Sequence, residues 1–360
     1  MTDTSTNHPL GDFIRSQITD PQIAACVNGL IGILLLMVMV ALMPNALIWV
    51  ERKVCAHFQA RLGPMRVGWH GLLQPFADGI KLLLKEFLRP TGADKFIFIL
   101  APFLPATASF MILMVIPFDH NIQLVDLDVG VIYVIAISGF GICGMLIGGW
   151  ASNNKYSLIG ALRSGSQMLS YEISIALGML LIVLLSGSAS LREIVLSQEG
   201  PFWNWWILKL PLLGFIAFIV FLVSSTAELN RAPFDLPEAE SEITAGFHTE
   251  YSGITFAMFF LAEFINMFIA AALCSSFFLG GFLPFLVGIE VIDNIMIKIP
   301  GWIWFGSKTS FIIFVFMWFR WSFPRPRLDQ LLNLEWKFLL PLNLMLLMGA
   351  SLFMIFGWIL

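Results

Sequence analysis

The chain has 360 residues, of which 12% are charged and 58% belong to the AVILMFWYC set, and its formal net charge is −4. Soluble chains average roughly 25% charged residues, so a water-soluble enzyme is excluded. The lack of a basic excess excludes a nucleic-acid binder, and the apolar content excludes a disordered chain. An all-α polytopic membrane protein remains, because none of the apolar runs shows the short polar/apolar alternation of β-barrel strands.

The first twenty residues are polar, with Asp3, Asp12 and Asp20 against Arg15, so they lack the basic start of a cleaved signal and precede an uncleaved anchor. A helix needs about 20 apolar residues to cross the hydrocarbon core. Runs of that kind predict eight spans, at 23–50, 96–118, 129–150, 171–188, 208–227, 253–279, 302–320 and 338–359. Glu263 and Lys308 are the charges well inside them, with Glu172, Lys209 and Arg320 at span ends, and Lys308 makes the seventh the least regular. Loops at 51–95, 151–170, 228–252 and 321–337, with Arg320 at the edge of the last, hold 15 of the 20 Lys and Arg residues. By the positive-inside rule these loops face the cytoplasm and both termini lie outside. Trp49, Trp150, Trp203, Trp302, Trp321, Trp336 and Trp358 sit near span ends, as interfacial belts require. No internal repeat or long linker divides the chain, so residues 1–360 read as one integral membrane domain.

Cofactor chemistry finds no ligands in this pattern. His8, His57, His70, His120 and His248 all fall outside the predicted spans, and Cys26, Cys55, Cys143 and Cys274 are widely spaced with no C-x-x-C. Haem, iron–sulfur and zinc sites are therefore unsupported, and no nucleotide-binding glycine motif is present. Electrons for any redox reaction would have to come from another chain.

The loop 51–95 carries eight of the inside-facing basic residues. Within it, Gln74, Asp78, Lys81 and Lys85 recur at spacings of 4, 3 and 4, while Leu73, Phe76, Ile80, Leu83, Leu84 and Phe87 fill another face. This predicts an amphipathic helix at the membrane interface, which could frame a lateral door for a lipid-soluble substrate or a docking face for a soluble partner. The loop 228–252 is acidic instead, with Glu228, Asp235, Glu238, Glu240, Glu242 and Glu250 against Arg231. Pro233 and Pro237 prevent a continuous helix there, and the carboxylates read either as a solvated loop or as a proton relay. Glu172 enters the fourth span and Glu263 lies inside the sixth, where a charge costs at least ~2.5 kcal/mol and points to function. The stretch 320–330 is expected to stay non-helical through Pro324 and Pro326, presenting Arg320, Arg325 and Arg327 in series.

Several of these segments resemble one family. The strongest is Ala227-Glu228-Leu229-Asn230-Arg231-Ala232-Pro233-Phe234-Asp235-Leu236-Pro237-Glu238-Ala239-Glu240-Ser241-Glu242. The Glu-Arg-Lys start at Glu51, the run Gln59, Arg61, Gly63, Pro64, and Gly71-Leu72-Leu73-Gln74-Pro75-Phe76-Ala77-Asp78 also match. So do Tyr171-Glu172, Glu250-Tyr251, Ala262-Glu263, and Pro324-Arg325 with Arg327, Asp329 and Gln330. Together they resemble the quinone-site membrane subunit of respiratory complex I, the NADH-quinone oxidoreductase also known as NADH dehydrogenase. A polar N-terminal extension and a longer stretch around 290–308 depart from that pattern.

The resemblance implies a subunit that forms a quinone chamber with the peripheral arm and starts an acidic path coupling quinone reduction to proton translocation. Ubiquinone or menaquinone would be the substrate, while NADH, FMN and iron–sulfur clusters would belong to partner subunits, and no metal to this chain. Carried over by position, Arg52, Lys53, Gln59, Arg61, Asp78 and Arg231 would contact or support the quinone. Glu172, Glu228, Asp235, Glu238, Glu240, Glu242, Glu250 and Glu263 would carry protons, and Arg325, Arg327 and Asp329 would face partner subunits. The expected partners are the other membrane and peripheral subunits, quinone and lipid, and the expected place is a bacterial inner membrane. Two other readings stay open at this point: the membrane subunit of an energy-converting hydrogenase, and an ion-coupled transporter using Glu172 and Glu263.

Overall fold

The computed structural model describes residues 21–210, 212–236 and 244–356. Among these the chain is helical, apart from turns and one isolated bridge between Asp119 and Ile122. The long helices are α1 (Pro21–Phe58), α5 (Gly130–Ala151), α6 (Lys155–Ser186), α9 (Leu213–Glu228), α10 (Gly253–Phe278), α12 (Gly301–Ser322) and α14 (Leu340–Ile355). Shorter ones fill the gaps: α2 (Gln74–Leu84), α3 (Lys95–Leu100), α4 (Phe103–Leu113), α7 (Leu191–Leu196), α8 (Trp206–Lys209), α11 (Glu290–Met296) and α13 (Leu328–Leu334).

Seven stretches are long and apolar enough to cross a membrane: Gly29–Phe58, Lys95–Leu113, Gly130–Ala151, Lys155–Ser186, Gly253–Phe278, Gly301–Ser322 and Leu328–Ile355. The eighth expected span, 208–227, is the shorter apolar helix Leu213–Glu228. At 1.5 Å per residue its 16 residues reach about 24 Å, short of a hydrocarbon core of about 30 Å.

Helix ends differ from the charge-based boundaries for a physical reason. Charge marks where a helix leaves the hydrocarbon, and the backbone can continue beyond that point. α1 runs past residue 50 to Phe58, and α6 starts at Lys155 where Asn154 accepts a hydrogen bond from the Tyr156 amide at 3.0 Å. Most of 151–170 is therefore helical. α6 has 32 residues, about 48 Å of helix, and ends on Gly187 in the left-handed conformation. Pro102 breaks the second span between α3 and α4, which stops at Leu113. The stretch 320–330 is extended only between α12 and α13, since Ser322 is still helical and Leu328 already is again. A five-residue π-turn, Glu335–Leu339, then joins α13 to α14.

The amphipathic helix forms over Gln74–Leu84, with Pro75 in its first turn. It turns its polar side inward: Gln74 and Asp78 are partly buried, whereas Phe76, Ile80, Leu83 and Leu84 are exposed. Of the stretch around 290–308, Glu290–Met296 is a short helix and Lys308 lies inside α12. Its ammonium donates to the Leu283 carbonyl at 2.7 Å and sits 4.1 Å above the Trp205 ring, so a charge within an apolar helix is satisfied by the neighbouring loop.

The core is built around α5, α6, α9 and α10, with Ile142, Leu181, Ile182, Phe221, Phe277 and Phe278 almost fully buried. Without a hydrophobic drive between helices in lipid, close approach of small residues holds them. A Cβ at Gly149 of α5 would overlap Ala161 Cβ, and one at Gly160 of α6 would lie 2.6 Å from Gly246 Cα. Gly306 on α12 has nothing within 4 Å of that position. Gly149→Ala is therefore expected to lower the thermal midpoint and yield of the detergent-purified assembly, by overpacking of about 1–3 kcal/mol, while Gly306→Ala leaves both unchanged; equal melting of the two variants would contradict this packing.

Candidate functional site

The end of α1, the segment after α9 and the middle of α10 converge on one guanidinium. Arg231 is buried, with Nη1 2.6 Å from Glu51 Oε2 and Nε 2.8 Å from Glu263 Oε1. Its Cζ lies 4.4 Å from the Phe264 ring centre, and Nη1 is 3.2 Å from Met267 Sδ. The second oxygen of Glu51 accepts from Arg320 at the end of α12. Two carboxylates and two guanidiniums thus form one network across four elements. Pro233 and the left-handed turn at Asn230 end α9 so that Arg231 can turn back into the bundle.

The chain rigidly frames this turn. Gln167 of α6, fully buried, donates to the carbonyls of Ala227 at 2.8 Å and Phe234 at 2.7 Å. Asn230 Nδ2 donates to Ser164 Oγ at 3.2 Å. The later part of the same segment lies on the start of α6 and against α3: Ser157 donates to the Phe247 carbonyl at 2.9 Å, and Tyr251 stacks on Phe98 at 4.2 Å. The helical extension of α6 before residue 171 therefore holds both ends of the acidic segment.

From Glu263 a line of polar groups runs into the bundle. A cavity of ≈ 130 Å³ is lined by Glu263, Glu228, Asn230, His248 and Asn266 among apolar side chains. A second, of ≈ 60 Å³, is lined by Glu228, Glu172, Ser138, Ser225 and Asn266. Met168, Glu228, Leu229 and Asn266 line both, so the two cavities adjoin. A cavity needs roughly 10–15 Å³ of such volume to hold a water, so both are large enough for water. Glu172 accepts from Ser138 Oγ at 2.8 Å, and Asn266 accepts from Ser109 Oγ at 2.6 Å. Burial holds the His248 imidazole down to about 4, so it is neutral near pH 7 and can both donate and accept.

Near the membrane edge, Arg52 pairs with Asp78 at 2.6 Å and Gln74 donates to the same carboxylate at 3.2 Å, which docks α2 on the end of α1. Lys53 Nζ lies 3.0 Å from Met65 Sδ, and Arg61 Nε donates to Gln59 at 2.5 Å; Gln59 and Arg61 are exposed. Asp235 pairs with Arg325 at 3.0 Å, and Glu250 accepts from Asn154 at 2.5 Å. Arg327 and Asp329 are exposed at the start of α13. Glu238, Glu240 and Glu242 lie outside the described residues.

The structure thus joins Glu263, Glu228 and Glu172, and it places Arg231 with them rather than with Gln59 and Arg61. Sequence reasoning overlooked Glu51, Gln167, His248 and Glu335. Glu51 opened a charged motif and looked like part of the loop, and Gln167 lay in a stretch not expected to be helical. A helical period carried upstream from Glu172 would have placed Gln167 and Ser164 on one face of the same helix.

Residues 31–351 match the protein family described as NADH dehydrogenase. The chain is 47% identical over 336 residues to the H subunit of NADH-quinone oxidoreductase from Bacteroides fragilis, covering 93% of this chain and 90% of that one. It is 51% identical over 295 residues to the protein of that name from Bacillus cytotoxicus, covering 82% and 84%. With one of that name from Geobacter sulfurreducens the identity is 45% over 316 residues, covering 82% and 86%. The match runs from the first long helix through the last and includes every element that builds the carboxylate line: this chain belongs to the NADH dehydrogenase family.

Proposed function

We propose that this chain works as the quinone-site membrane subunit of a proton-pumping NADH:quinone oxidoreductase, in the inner membrane of a bacterium. The observation that carries the reading is the line Glu51, Arg231, Glu263, Glu228 and Glu172, which leads from the edge of the bundle into its middle through two adjoining cavities. The names of the relatives supply the reaction class. The basic-rich segments then face the cytoplasm, where a peripheral arm carrying NADH, FMN and iron–sulfur clusters would dock.

Quinone would enter from the bilayer beside α2, whose exposed Phe76, Ile80, Leu83 and Leu84 suit a lipid boundary. Arg52, Lys53, Gln59, Arg61 and Asp78 border this access. Reduction to quinol takes two electrons from the partner's clusters and two protons, and the proton deficit left behind is felt as charge. One unit charge at roughly 10 Å and an effective dielectric of about 20 changes a carboxylate's energy by about 1.7 kcal/mol, enough to shift its proton affinity by about one pH unit. Arg231, Glu263, Glu228 and Glu172 would relay that change inward, with Asp235, Glu238, Glu240, Glu242 and Glu250 exchanging protons at the cytoplasmic end. One such line does not cross the bilayer, so pumping requires neighbouring membrane subunits. Arg325, Arg327 and Asp329 lie on the proposed peripheral-arm side.

Purification of the tagged chain in mild detergent should bring down NADH-oxidising subunits with iron–sulfur clusters; a nickel-containing partner or a pure homo-oligomer would refute the assignment. In the intact complex, Glu263→Gln is expected to leave NADH oxidation by an artificial acceptor unchanged and to lower quinone-coupled turnover at least tenfold, a barrier increase of about 1.4 kcal/mol. Arg231→Met should go further and reduce assembly, because leaving Glu51 and Glu263 uncompensated costs about 3–5 kcal/mol. A photoreactive quinone analogue should label residues within 51–95, and labelling confined to other segments would move the access elsewhere.

A further inference from the structure

One buried carboxyl group lies off this line. Glu335, at the start of the π-turn between α13 and α14, is fully buried. Oε1 accepts a hydrogen bond from Ser174 Oγ on α6, and Oε2 has no hydrogen-bond partner among the described residues. A buried acid with one oxygen unpartnered costs the fold stability, so a task beyond stability is the reason to look for.

Its neighbours show what it acts on. Tyr171 Oη donates to the Leu331 carbonyl at 3.0 Å, Trp336 Nε1 donates to Ser170 Oγ at 3.3 Å, and Asn343 Nδ2 donates to the Ser174 carbonyl at 3.3 Å. Residues 170, 171 and 174 thus form one seam along a turn of α6. Glu172 sits between them in sequence and, at 100° per residue, points about 200° away from both 170 and 174. There it accepts from Ser138 and lines the cavity shared with Glu228.

The π-turn is what makes this seam continuous. In an uninterrupted α-helix, residues 331 and 343 would be about 120° apart around the axis. One extra residue absorbed by the π-turn brings them within about 20°, while Glu335, four residues after 331 and at the start of the turn, is about 40° from it in either case. Leu331, Glu335 and Asn343 can then all face α6, as their hydrogen bonds require.

We infer that Glu335 is a positioning residue for Glu172: by holding Ser174 it fixes the rotation of α6 and with it the placement of Glu172 between Ser138 and the cavity. This rests on the reading of Glu172 as a proton-carrying group. Glu335 touches no quinone and passes on no proton; its carboxyl oxygen serves as an acceptor, which an amide oxygen can replace.

The test uses the intact complex carrying Glu335→Leu, Glu335→Gln or Glu172→Gln, with artificial-acceptor activity as the measure of assembly. Glu335→Leu is expected to keep that activity and the quinone KM, to lower coupled kcat about tenfold, and to shift its pH profile by about half a unit or more. Glu335→Gln is expected to restore both kcat and the profile. Ser174→Ala should reproduce the leucine phenotype and replaces it if the leucine variant does not assemble. An unaltered pH profile in Glu335→Leu or Ser174→Ala beside an impaired Glu172→Gln would overturn the positioning role alone, as would a glutamine variant as impaired as the leucine one. If Glu172→Gln itself retained full coupled turnover, the proton-path reading would fall and the inference with it.

Discussion

Arg231 is the point on which the arrangement depends. A guanidinium that reaches a buried position between α1 and α10 must be neutralised there, and Glu51 and Glu263 do this from opposite sides at 2.6 and 2.8 Å. Buried ion pairs are on average no more stabilising than apolar packing of the same volume. Fold stability alone therefore does not account for this network, and its value lies in the charge it keeps inside. Because Glu51 also holds Arg320, the two carboxylates and two guanidiniums balance as one charged unit.

Glu263 faces the network on one side and the larger cavity on the other, and Glu228 borders both cavities. Neutral His248 adds a donor and an acceptor without adding a charge. As pH falls from the ordinary histidine value near 6.5 toward about 4, an unfolded chain takes up a proton that folded His248 does not, so this group weakens the fold over that window and is without effect above it.

Much of this was legible in the sequence because lipid imposes simple rules. Apolar length located the spans, and the cost of a charge in hydrocarbon singled out Glu172 and Glu263 without any knowledge of the fold. The acidic segment after α9 could be recognised by its motif. What sequence did not reveal followed from the same rules. A charge at the rim of an apolar run looks the same whether it meets water or turns inward, so Glu51 and Glu335 passed as rim residues although both are buried. Nothing in one dimension shows that α1 and α10 bring carboxylates to Arg231. Helix ends were misjudged at α6 for a related reason: Ser157, Ser164, Gln167 and Arg163 look like loop chemistry, yet the first three are buried against the acidic segment.

The stretch from Arg325 to Leu339 ties two distant parts of the chain together. Arg325 holds Asp235 at the foot of the segment, and a few residues further on the π-turn holds α6 beside Glu172. The other side of the acidic segment is fixed to α6 directly, through Gln167. α6 is therefore gripped at two levels by elements that also grip the acidic segment, and packed interiors of this kind shift between discrete arrangements rather than deform gradually. The cavity and the polar seam thus meet on two faces of one turn of α6, with Glu172 lining the first and Ser170, Tyr171 and Ser174 forming the second.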